Sequence, residues 1–231
     1  MSDLPERFTC TLVDWEYVYG LTRDVCDEVK AEGYDPDAIV ALARGGWFAG
    51  RVACDFLGLN DLVSLKIEHY VGTGQRDGEP TVRYPLDGPT VGGKDVLIID
   101  DIADTGRTFL HAEDHIRERD PATVRTAGLQ LLPGSEADLD FVGERLKEFA
   151  WIVYPWNFIE DMVELVSGVM AKEGDGPYTP RELKVLLDDY HDIDPVTLRV
   201  VQPDRMDEVF DQMLRQEVAE RTGDGRYRLA E

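Results

Sequence analysis

Apolar positions in this chain fall into short unbroken runs separated by amphipathic stretches. Leu21, Val25 and Val29 recur at helical spacing behind Asp14, which predicts a first helix ending near Gly33. Ala38 to Ala43 is a continuous apolar run of strand length. It breaks at Arg44-Gly45-Gly46, and a helix-like stretch from Phe48 to Leu57 follows. Leu62 to Ile67 reads as a further strand. Residues 70–94 are rich in glycine and turn signals, with one strand over Thr81–Tyr84. Val96 to Ile99 is the strongest buried-strand signal, and a helix should follow from about Gly106 to Arg119. Val124–Leu132 and Trp151–Tyr154 complete the strands, and Phe158–Ala171 reads as a helix. Strands alternating with helices predict an α/β fold, a mainly parallel sheet with helices on both faces.

The pattern changes after residue 174. Gly174 to Pro177 reads as a linker, Thr179–Tyr190 as a helix with a polar cap and Pro180 at its first position. A second helix is expected over Pro203–Val218, then a small hairpin over Arg221–Arg228. Two domains follow from this reading: residues 1–174, and a winged-helix-like α+β extension over residues 175–231.

Charge narrows the classes of function. The 231 residues carry 24 Lys and Arg against 47 Asp and Glu, a formal net charge of −23. Such a chain repels phosphate on average, which opposes extended nucleic-acid binding. The tail is no exception, with 8 Lys and Arg against 13 Asp and Glu over residues 176–231. A hydrophobic content of 43% argues against disorder. A folded protein coated with hydrated carboxylates suits a salty cytoplasm, and a halophilic source is expected. Cys10, Cys26 and Cys54 are odd in number and widely spaced, which favours buried reduced thiols over disulfides or a zinc site. His111 and His115 share a helix face without a third ligand nearby, so a solvated face is expected. The N-terminus lacks a basic-then-apolar signal pattern, and no apolar run reaches membrane-spanning length.

Chemistry concentrates in Val96-Leu-Ile-Ile-Asp-Asp-Ile-Ala-Asp-Thr-Gly-Arg-Thr108. A buried strand delivers Asp100 and Asp101 to its carboxyl end, where ligands of open α/β sheets bind. The turn that follows offers backbone N–H groups, the hydroxyls of Thr105 and Thr108 and a helix N-terminus, which suit a phosphate. Adjacent carboxylates suit vicinal hydroxyls or a magnesium ion. Together these groups fit a ribose phosphate.

This segment resembles the phosphoribosylpyrophosphate (PRPP) signature of type I phosphoribosyltransferases, and among these the xanthine-guanine enzymes of archaea and bacteria are most similar. The resemblance implies that Asp100 and Asp101 bind the ribose hydroxyls and Mg2+. It implies that Ala103, Asp104, Thr105, Gly106, Arg107 and Thr108 surround the 5′-phosphate, and that Asp104 moves the proton of the base. Ile39 to Gly46 is similar to the family's pyrophosphate loop, with Arg44 and Gly45 holding the leaving group and an Ala43–Arg44 peptide that in relatives can be cis. Trp151 to Trp156 resembles the base-binding segment, with Trp151 stacking on the base and the Ile152 backbone reading its edge. Purine-specific relatives carry a lysine where this chain has Leu132; Gln130 is a substitute only if it faces the pocket. The segment Tyr70–Gly93 lies where relatives have a lid, with Arg76 and Arg83 able to approach phosphate.

The implied reaction joins a purine base (guanine, xanthine or hypoxanthine) to C1 of PRPP and releases pyrophosphate. A homodimer is the expected assembly. A phosphoribosyltransferase for another nucleobase, or a PRPP-sensing transcriptional regulator on the same fold, are the alternatives.

Overall fold

The longest apolar runs become the central strands. The computed structural model describes residues 5–69, 80–86, 90–174 and 176–230. In chain order the elements are β1 (Cys10–Leu12), α1 (Trp15–Ala31), β2 (Ala38–Ala43), α2 (Gly46–Leu57), β3 (Leu62–His69), β4 (Pro80–Tyr84), β5 (Asp95–Ala103), α3 (Arg107–Arg117), β6 (Thr123–Leu131), β7 (Phe141–Arg145), β8 (Trp151–Val153), α4 (Phe158–Glu173), α5 (Pro180–His191), α6 (Pro195–Val201), α7 (Met206–Arg215), β9 (Ala219–Arg221) and β10 (Tyr227–Leu229). None of the described helices is long and apolar enough to cross a membrane.

The chain forms two compact units, Glu16–Phe149 and Met1–Trp15 with Ala150–Glu231. The first contains a six-stranded sheet in the order β4-β3-β2-β5-β6-β7. Its strands are parallel except β4, which runs antiparallel to β3. Val96, Leu97, Ile98 and Ile99 of β5 are fully buried, as a central strand covered on both faces requires. From β2 the chain crosses through α2 to β3 on one side, whereas β5 lies on the other. The strand order therefore reverses between β2 and β5, and the crevice outside their carboxyl ends is the natural ligand position.

The second unit is assembled from two distant segments. β1 pairs in parallel with β8, with Cys10 opposite Trp151 and Leu12 opposite Val153. This grouping differs from the expected division at residues 174 and 175. Phe158, Met162, Leu165 and Val166 of α4 share one core with Leu183 and Leu187 of α5 and with Val209 and Phe210 of α7, so α4 packs with the C-terminal segment. The polar cap of α5 is present: Thr179 Oγ1 accepts from the Glu182 N–H while the Glu182 carboxylate accepts from the Thr179 N–H. The helix expected over 203–218 is shorter, α7, and is preceded by α6, which starts on Pro195 behind the Asp194 cap. β9 and β10 form the expected hairpin.

Two strands have no clear sequence signal, β1 and β7. Each is short, and Phe141-Val-Gly-Glu-Arg145 buries only its first two residues. The three cysteines are free and buried, and burial pushes the thiols of Cys10 and Cys26 up to about 12. His115 departs from the solvated face expected of it. Its Nε2 is buried without a hydrogen-bond partner, and burial lowers its pKa. Most of the expected lid, with Arg76, lies outside the described residues. Arg83 on β4 is exposed, 3.9 Å from the Glu68 carboxylate.

Candidate active site

The neighbouring ends of β2 and β5 bring two sequence motifs into one place. Ala41 pairs with Ile99, so the turn after Ala43 emerges beside Asp100 and Asp101. The Ala43–Arg44 peptide is cis. A Cβ added to Gly45 would sit 1.9 Å from Asp101 Oδ2. One added to Gly46 would sit 2.6 Å from the Ile99 carbonyl and 2.9 Å from Asp100 Oδ1. Gly46 is therefore required by close approach to the β5 backbone, and a side chain at Gly45 would displace the Asp101 carboxylate, before any ligand is considered.

That acid pair concentrates negative charge in a covered place. Asp101 is buried, and Asp100 lies partly covered beside it. Burial, and secondly the Asp101 charge, push the Asp100 carboxyl well above the usual carboxylate range. Backbone N–H groups of Asp101, at 3.0 Å, and of Gly46 offset only part of this. Two adjacent carboxylates in this setting hold two negative charges only with a cation or hydroxyl donors close by. The oxygen donors suit magnesium, which is commonly bound by one or two carboxylates together with substrate phosphates and water. No group of three or more His, Cys, Asp or Glu placed for a metal occurs among the described residues.

The turn after β5 supplies the complementary charge. Gly106 caps α3 with φ +79°, and a Cβ there would lie 2.4 Å from the Ala137 nitrogen. Glycine is needed at this position for both reasons. The Arg107 N–H donates to Thr105 Oγ1 at 3.4 Å, and Thr105 and Arg107 are exposed at the N-terminal end of α3. The Arg107 guanidinium lies 3.5 Å from Glu136 with both side chains half exposed. Such a contact contributes about 0–1 kcal/mol and would yield readily to a phosphate. Asp104 is exposed on the same turn, and partial desolvation raises its carboxyl.

Residues 132–137 support this turn from behind, a role that sequence reasoning missed. The Leu132 N–H donates to the Ala103 carbonyl at 3.0 Å, and the Glu136 N–H donates to the Thr105 carbonyl at 2.8 Å. Their only sequence signal is Pro133-Gly134, which marks a turn without naming its partner. Gln130, the conditional substitute base reader, has its side-chain amide engaged within its own unit. It is buried, and its Nε2 donates to Glu144 Oε2 at 2.7 Å and to the Tyr17 hydroxyl at 3.2 Å.

Trp151 and Ile152 belong to the other unit, on β8. The Trp151 N–H donates to the Thr9 carbonyl and the Val13 N–H to the Val153 carbonyl, so by ladder alternation the Ile152 N–H and C=O point away from β1. Trp151 is half-buried against the core of its unit, with Nε1 buried and lacking a hydrogen-bond partner. Trp156 instead stacks on Tyr154, with ring centroids 4.8 Å apart and planes 7° apart.

The profile of the phosphoribosyl transferase domain matches residues 13–159. The chain belongs to the phosphoribosyltransferase family of enzymes. It is 28% identical over 157 residues to the xanthine-guanine phosphoribosyltransferase of Idiomarina loihiensis, covering 68% of this chain and 92% of that one. The enzyme of the same name from a Ruegeria species is 25% identical over 165 residues, covering 68% and 90%. Among solved structures, a purine phosphoribosyltransferase from Pyrococcus horikoshii matches with TM-score 0.57 and 25% identity, covering 64% of this chain and 93% of that chain. Within this phosphoribosyltransferase, the candidate site lies where its strand order reverses. Neither set of relatives bears on the salt-adapted source that the charge suggested.

Proposed function

We propose that this phosphoribosyltransferase serves purine salvage, transferring ribose 5-phosphate from PRPP to a purine nitrogen and releasing pyrophosphate. The single observation that carries this reading is the juxtaposition of Arg44-Gly45-Gly46 with Asp100–Thr108 at the switch point of the sheet. That arrangement supports an anion on each side of a diol-binding acid pair. Matches to relatives named for xanthine, guanine and purine support the class of base.

In this reading Thr105, Gly106, Arg107 and Thr108 hold the 5′-phosphate with Ala103 beside them, and Arg44 and Gly45 face the departing pyrophosphate. Asp100 and Asp101 hold the ribose hydroxyls and would bind Mg2+, which supplies charge neutralisation to the pyrophosphate when bound. The transition state of such a transfer develops positive charge on the ribose, as in glycoside cleavage, and the carboxylates stabilise it. Asp104 exchanges the proton of the base; its raised pKa brings it nearer to the range useful for that task. The base-binding role of Trp151 and Ile152 rests on the resemblance of residues 151–156 and on the outward backbone of Ile152. A homodimer, a salt-adapted cytoplasm, and a winged-helix-like role for residues 175–231 complete the reading.

The test is pyrophosphate release from PRPP and Mg2+ with guanine, xanthine, hypoxanthine or adenine, in concentrated KCl. Turnover with at least one purine is expected, and none with any of the four would defeat the proposal. Asp104→Asn should lower turnover by about 10²–10⁴-fold while PRPP affinity is kept. Full activity of that variant would remove Asp104 from proton transfer.

A further inference from the structure

The carboxyl edge of the sheet extends beyond the phosphate turn. Ala103 pairs with Leu131 and Leu131 with Arg145, so three adjacent parallel strands end at one level. Strands lie about 4.8 Å apart, which puts the Arg145 backbone about 10 Å from that of Ala103, within reach of a side chain and a small ligand between them. A cavity of about 380 Å³ opens here, a volume in the range of small-molecule sites. Its walls include Leu131, Leu132, Pro133 and Leu146, which offer apolar surface to a flat ring, and Glu136 and Ala137, which back the phosphate turn.

Arg145 is the cation of this lining. Its side chain is exposed and forms no ion pair or hydrogen bond with any described residue, although the chain has nearly twice as many acids as bases. By contrast, Arg107, Arg117, Arg125, Arg205 and Arg228 all have carboxylate partners. A guanidinium carries a planar fork of donors, and that fork matches the O6 and N7 acceptors along one edge of a 6-oxopurine. Adenine presents an amino donor in place of O6, so the same fork rejects it. Leu132, next to the register partner of Arg145, carries no donor in its side chain.

We propose that Arg145 is the specificity-determining residue of this enzyme, reading the O6/N7 edge of a 6-oxopurine in the cavity at the ends of β6 and β7. The assignment rests on the purine-transferase reading above and names the group that selects the base. It places the selecting charge on β7, one strand beyond the one that ends at Leu132.

The experiment compares kcat/KM for hypoxanthine, guanine and adenine in the unchanged protein and in Arg145→Gln, with KM for PRPP followed in parallel. The unchanged protein should favour the oxopurines. Arg145→Gln should lose about 10- to 100-fold in kcat/KM for hypoxanthine and guanine, with adenine and the PRPP KM little changed. Leu132→Lys introduced into Arg145→Gln should recover part of the oxopurine preference, a rescue that a merely structural role would not give. An active Arg145→Gln protein with an unaltered preference overturns the assignment and leaves the purine-transferase reading standing. Absence of turnover with every purine in the unchanged protein overturns both.

Discussion

The two compact units differ in how far apart in the chain their essential contacts lie. In Glu16–Phe149 each functional loop is a short continuous stretch that directly follows a buried strand: Arg44–Gly46 after β2 and Asp104–Thr108 after β5. In the other unit the pairing of β1 with β8 joins residues 10–12 to residues 151–153, and the core draws on α4, α5 and α7 together. The turns proposed to carry the chemistry are thus local ones, held at adjacent strand ends. The second unit joins residues far apart in the chain, and the pairing of its β1 with β8 had no clear sequence signal.

The largest effect expected from breaking this contrast is on activity. Gly45→Ala places a Cβ inside the Asp101 carboxylate and must shift either the loop or the acid pair. Displacements of this order cost about 10²-fold in rate, so kcat/KM for PRPP should fall by at least that factor while the thermal melt changes little. Unchanged kinetics would show that the approach of the two loops is dispensable.

In the second unit the corresponding weak point is the core. Phe158 is fully buried among α4, α5 and α7, and Phe158→Ala should cost about 3–5 kcal/mol in urea unfolding. A loss below about 1 kcal/mol would mean that this core collapses around the missing ring. PRPP affinity, measured well below the unfolding midpoint, should survive, because the residues assigned to PRPP lie in the first unit.

The smallest effect concerns pH. His191 is buried, and its Nδ1–H donates to the Phe8 carbonyl at 3.3 Å, which fixes the neutral tautomer. Burial lowers its pKa below the ordinary 6.5, with Lys172 acting in the same direction, while the Phe8 hydrogen bond and Asp192 oppose. A depressed histidine contributes stability that is complete above about pH 6.5 and is lost as pH falls through the folded value, because the unfolded chain takes up the proton first. The midpoint of unfolding should therefore fall between pH 7.5 and 5.5, and His191→Gln should flatten that dependence. An identical slope in the variant would assign the acid sensitivity elsewhere.

The acid coat gains a more specific meaning from the site. A net charge of −23 opposes phosphate ligands over the surface as a whole. In the proposed reading the crevice counters it locally with backbone N–H groups, the end of α3, Arg44 and Arg107, and a cation would join them at Asp100 and Asp101.

Much of the first unit was legible because buried central strands write continuous apolar runs and strand-end turns write glycine, threonine and paired acids. Val96–Thr108 and Ile39–Gly46 each specified a strand and the turn that follows it within a dozen or so residues. The sequence alone could not say which strand ends are neighbours, since pairing order is decided by how whole βαβ units pack. It could not say that Gly45 and Gly46 fit against Asp101 and Asp100, that residues 132–137 brace the phosphate turn, or that Gln130 is occupied by Glu144 and Tyr17. These contacts join residues far apart in the chain, and no local pattern encodes them. The same holds for Arg145: its residue type is plain in the sequence, but its level beside Leu131 and Ala103 exists only once three strands have paired in register.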